Sequence, residues 1–89
     1  MSDQNFPSLD KIRWATRRGM LELDLLFAPY VENCYLNASA EDKQIFIELL
    51  LSEDQDLFGW FLKSVTPPTQ FQEIITKIMN AKHTHNQHL

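Results

Sequence analysis

Phe71, Ile74, Ile75, Ile78 and Met79 fall at offsets of 3, 4, 7 and 8 from the first of them. That period puts one apolar stripe on a helix, whereas a half-buried strand alternates every second residue. The same helical period recurs upstream. Leu9, Ile12 and Thr16, with Ala15, share one side of a first segment, and Trp14 points elsewhere. Met20, Leu23 and Phe27 mark a second segment, Phe46, Leu49 and Leu50 beside Ile45 a third, and Leu57 to Leu62 a fourth. No internal repeat and no strand pattern interrupts them. Two glycines in 89 residues are too few for a turn-rich all-β chain. The expectation is an all-α fold, a compact bundle of about five short helices.

The boundaries follow from capping chemistry. The Ser8 hydroxyl can accept from a backbone N–H and open the first helix, which should end near Arg18 because Gly19 is a permissive stop. The second begins near Met20. It carries another apolar strip, Leu21, Leu25 and Ala28, and a helix apolar on two sides is expected at the centre of a bundle. Pro29 either opens a new helix or kinks a continuing one, and the apolar pattern runs on to Leu36. Ser39 and Asp42 resemble a capping box ahead of a helix over about 40–51. Ser52-Glu53-Asp54 breaks it, and acids there suit the positive end of a helix over about 55–64. Thr66-Pro67-Pro68-Thr69 is the clearest boundary, since two prolines bar a helix through them. The expected domain covers 8–82, between a frayed 1–7 and a polar, disordered tail over 83–89.

Size and charge narrow the function. A chain of 89 residues has one modest core, and a small-molecule pocket of about 300–1,000 Å3 would consume much of it. A binding module is therefore expected rather than an enzyme. The net charge of −4 argues against nucleic-acid binding, which requires phosphate neutralisation. Lys11, Arg13, Arg17 and Arg18 cluster near the start, while most acids lie from Glu22 to Asp56. The two readings are solvated faces of opposite sign, or a bipolar surface that orients a partner. The single cysteine, Cys34, excludes an intrachain disulfide and fits a reducing compartment. No apolar run approaches the roughly 20 residues of a membrane span, and the first residues lack the regions of a signal peptide. A cytoplasmic protein of bacterial type, or else a mature form separated from a presequence, is expected, without membrane insertion and monomeric when free.

Catalytic and metal chemistry find little support. His83, His85 and His88 all lie in the tail, and no fixed four-ligand set is visible. Cys34 sits in an apolar pattern without a base. Ser39, Ser52 and Thr69 are explained as caps. Gly19 and Gly59 are the only glycines, so no phosphate loop exists. Glu22 and Asp24, two apart on a helix, point in roughly opposite directions and make a poor acid/base pair. What remains is Arg18-Gly19-x-x-Glu22. On a continuous helix Arg18 and Glu22 would pair at i,i+4. If Gly19 instead turns the chain or admits close approach of another backbone, both charges could face outward as a recognition patch, where an Arg fork suits carboxylates or carbonyls.

The run from Trp14 through Arg17-Arg18-Gly19-Met20-Leu21-Glu22-Leu23-Asp24 resembles the signature of the SdhE family of FAD assembly factors. Glu41-Asp42-Lys43 before Ile45-Phe46, and Asp54-Gln55-Asp56-Leu57-Phe58-Gly59-Trp60, match that family in order and spacing. The resemblance covers about residues 9–80. It implies a five-helix protein that promotes covalent attachment of FAD to a histidine of the flavoprotein subunit of succinate dehydrogenase or fumarate reductase. It also implies a non-enzymatic helper without a cofactor of its own, since the flavoprotein performs the linkage and no dinucleotide motif is present for tight FAD binding. The partner-binding surface implied is Arg18, Gly19 and Glu22, with Arg17 and Asp24 beside it. Asp54, Asp56 and Trp60 carry over weakly, Asp54 as a helix cap and Trp60 as core. Bacterial members have also been labelled antitoxins of a membrane toxin, so a toxin-neutralising regulator is the alternative.

Overall fold

The computed structural model describes the backbone of residues 6–87 and the side chains of residues 6–82. Ser8 opens α1 (Leu9–Thr16), its hydroxyl accepting from the Lys11 N–H at 3.3 Å. The helix stops at Thr16, two residues before Arg18, because Arg17 leaves helical backbone angles. α2 (Leu21–Asn33) continues through Pro29. Of the two alternatives, the proline lies within a continuing helix and opens no new one. A 3-10 turn over Tyr35–Asn37 leads to α3 (Ala40–Leu50), which Ser39 caps by accepting from the Asp42 N–H at 3.1 Å. α4 (Asp54–Leu62) is followed by Ser64, which lies in the left-handed region at φ 61°. After Pro67-Pro68 comes α5 (Thr69–Gln87), which continues past Lys82. The tail expectation over 83–89 concerns residues whose side chains lie outside the described ones, His83, His85 and His88 among them.

These are five helices, with no strand among the described residues. α2 is the central element. It packs against α1, α4 and α5, and α5 also covers α3. Leu23, Phe27, Phe46, Leu49, Leu57 and Ile78 are wholly buried. Phe27 meets Phe46 and Phe61 edge-on, with ring centroids 6.0 and 5.5 Å apart. Tyr30 and Tyr35 close on Phe46 from its other neighbours, at 4.9 and 6.0 Å. Aromatic pairs in this geometry add about 0.5–1.5 kcal/mol each beyond area burial. Most of the frayed segment expected over 1–7 lies outside the described residues. Its last two members are held: the Pro7 carbonyl accepts from the Tyr35 hydroxyl at 2.9 Å, and the Phe6 ring faces Lys43.

Burial corrects one expectation about α2. The strip Met20, Leu23 and Phe27 faces inward as the period requires. The other strip does not. Leu21 is 68% exposed, Leu25 56%, and Ala28 is exposed with them. α1, α4 and α5 pack on the other sides of α2 and leave this one to solvent.

Candidate functional site

The turn between α1 and α2 gathers the charged residues singled out above and separates them into two groups. Gly19 sits at φ +76°, in the left-handed region that favours glycine. A Cβ there would meet nothing within 4 Å, so the space over Gly19 is open. This turn breaks the continuous helix on which Arg18 and Glu22 would have paired.

Arg18 points inward. Its side chain is only 15% exposed. One terminal nitrogen donates to the Leu50 carbonyl, on the last residue of α3, and the other lies 3.4 Å from Asp54 Oδ1, on the first residue of α4. The last carbonyls of a helix carry partial negative charge and lack intrahelical donors, so a guanidinium is well placed among them. Arg18 Nε is buried without a hydrogen-bond acceptor. The backbone N–H of Arg18 donates to Asp24 Oδ1 at 2.9 Å. Asp24 thereby closes the turn from the first turn of α2, where the helix dipole favours an acid. Instead of standing outward beside Glu22, Arg18 ties the turn to the α3–α4 junction. Asp54 serves as its counter-ion, while Glu53 occupies the capping position of α4 without a side-chain cap.

Arg17, Gly19 and Glu22 point outward. The Arg17 guanidinium lies 6.0 Å from the centroid of the Trp14 ring, itself 76% exposed. Glu22 makes no hydrogen bond or ion pair among the described residues. Leu21, read from sequence as a residue explained by burial, is exposed between them. Beside the turn, Met20, Glu53, Asp54, Gln55 and Phe58 line a shallow groove of about 480 Å3. Asp56 is exposed on α4, and Trp60 is half-buried against Phe71 at 5.8 Å.

A second charged group braces α1 against α2. Arg13 forks onto Glu32, Nε to Oε2 at 2.6 Å and Nη2 to Oε1 at 2.7 Å, and its Nη1 reaches Asp10 at 2.7 Å. The hydrogen bonds from Arg13 hold the Glu32 carboxyl below its ordinary value, and those to Glu32 raise Arg13. Sequence reasoning missed this pair, since nineteen residues separate its members and no local pattern marks them. Among the described residues no three His, Cys, Asp or Glu side chains converge as metal ligands. No helix among them is long and apolar enough to cross a membrane.

The family described as flavinator of succinate dehydrogenase matches residues 10–82. The chain belongs to this family. Among similar proteins, the FAD assembly factor SdhE of Francisella tularensis subsp. tularensis is 49% identical over 86 residues, covering 97% of this chain and 90% of that protein. The FAD assembly factor SdhE of Shewanella oneidensis is 46% identical over 72 residues, 80% of this chain and 88% of its own length. That of Acinetobacter baylyi is 40% identical over 74 residues, covering 82% and 87%. Flavinator membership agrees with the resemblance carried by Arg17 to Asp24. The toxin-neutralising alternative finds no support in these names.

Proposed function

We propose that this chain is an assembly factor that binds the flavoprotein subunit of succinate dehydrogenase or fumarate reductase and promotes covalent attachment of FAD to it. The observation that carries the reading is the flavinator match across residues 10–82, which includes the whole turn from Arg17 to Asp24. In this reading Gly19, Glu22 and Arg17 meet the client. Gly19 admits close approach of the client backbone, Glu22 and Arg17 offer opposite charges, and Arg18 and Asp24 hold the turn in shape behind them.

The helper acts by differential affinity. It must bind the client conformation that is competent for flavinylation more tightly than the alternatives, because only that difference shifts the population. In this reading the chain is a non-enzymatic helper, and the flavoprotein carries out the bond formation. The protein works in the cytoplasm, as a monomer when free, and holds no FAD tightly by itself. The test is the amount of covalently bound FAD in the succinate dehydrogenase flavoprotein subunit, measured with and without this protein. A rise on its addition supports the reading. Equal amounts in both samples, or steady turnover by the chain alone, would contradict it.

A further inference from the structure

We propose that the outward strip of α2, Leu21, Leu25 and Ala28, is a docking face for an apolar segment of the flavoprotein client that carries a basic side chain opposite Glu22. This inference rests on the assembly-factor reading and extends its contact beyond the charged turn.

Leu21 and Leu25 are four residues apart and so adjacent on one side of the helix, with Ala28 following on the same side. They are 68% and 56% exposed. A single exposed leucine needs no explanation, but a continuous apolar strip on an element that is otherwise the centre of the core marks an interaction surface. Burial does not account for these leucines, and exposed helix positions are served equally well by Gln, Glu or Lys. The strip begins two residues after Gly19, where the space over the backbone is open. One ligand could therefore run from the turn onto the helix.

Charge chooses the occupant. Glu22 lies three residues before Leu25, on the border of the strip, and no group among the described residues neutralises it. Glu32 is already held by Arg13. A second copy of this chain would bring another net charge of −4 and another Glu22 against the same face, which like-charge repulsion opposes. A client segment with apolar side chains and a Lys or Arg beside them satisfies both the leucines and Glu22.

The experiment uses the full chain with both leucines changed, Leu21→Gln and Leu25→Gln, and the purified FAD-loaded, unlinked succinate dehydrogenase flavoprotein subunit. Gln keeps helix propensity and both sites are exposed, so thermal unfolding and circular dichroism should match the wild type. Calorimetry should show binding about a hundredfold weaker, roughly tenfold for each leucine removed from the interface. A Glu22→Lys variant should also bind more weakly, and the wild-type affinity should fall as salt rises. Affinity within about threefold of wild type for the double variant would overturn the proposal. So would an absence of wild-type binding, or sedimentation showing a wild-type dimer that the double variant loses while client affinity stays unchanged. Covalent FAD is read in the same samples. Strip-dependent binding without any gain in covalent FAD would leave the docking face standing and sink the assembly-factor reading.

Discussion

Gly19 turns the chain between two helices at φ +76°, with open space where a side chain would stand. The backbone angle and the open space make separate demands, and substitutions distinguish them. Gly19→Ala should cost about 1 kcal/mol in urea denaturation, the penalty for a Cβ in left-handed backbone. Gly19→Asn should recover most of that stability, because Asn tolerates this conformation, yet should still fail to support flavinylation if the client needs the space. Arg18 and Glu22 make a second contrast. Arg18→Ala removes a largely buried fork and strands the Leu50 carbonyl, so about 2 kcal/mol of stability should be lost. Glu22→Ala touches nothing in the fold and should change stability by less than about 0.5 kcal/mol. Denaturant titration of both variants checks the split between a residue that holds the turn and one that the turn presents.

At the scale of elements, α2 does two jobs. One side supplies Leu23, Leu26, Phe27 and Tyr30 to the core, so Phe27→Ala should destabilise by about 3–5 kcal/mol. The other side faces solvent, braced at its far end by Glu32 to Arg13 of α1. That brace is sensitive to acid. Its carboxyl is held below the ordinary 4.5 in the fold, so its contribution is present above that value and lost as pH falls through the lower, folded value. Glu32→Gln should flatten the acid limb of stability against pH, read by denaturation between about pH 5 and pH 2. The helices themselves were legible in the residue pattern: Ser8, Ser39 and Pro67-Pro68 lie at the boundaries expected of them. Less legible was where an apolar strip would go. Leu21, Leu25 and Ala28 have the period of a buried side, but burial depends on whether another element is left to cover them, and here none is.

For the molecule as a whole, the buried aromatic cluster and the charged turn lie at opposite limits of what a sequence reveals. The core residues announce themselves by period. Arg18 does not announce its direction: its acceptors lie 32 and 36 residues away, at a junction that only folding brings beside the turn. Arg18, Gly19 and Glu22 therefore read as one patch in sequence and divide in three dimensions into one anchor and two presented residues. The cluster also sets an alkaline limit. Burial pushes the Tyr30 hydroxyl up from 10.0 to about 12, so the fold favours its protonated form, and that stabilisation is complete below pH 10 and fades as pH rises toward 12. Tyr30→Phe should match wild type at pH 7 and resist alkaline unfolding better, by denaturation at pH 10–11. The central claim, that the turn presents Glu22 to a flavoprotein client while Arg18 holds it in place, is tested most directly by covalent FAD on the succinate dehydrogenase flavoprotein subunit. With wild-type protein the covalent FAD should rise, and with Glu22→Ala, folded and as stable, it should stay at the level seen without any helper. Wild-type levels of covalent FAD with Glu22→Ala would contradict the account.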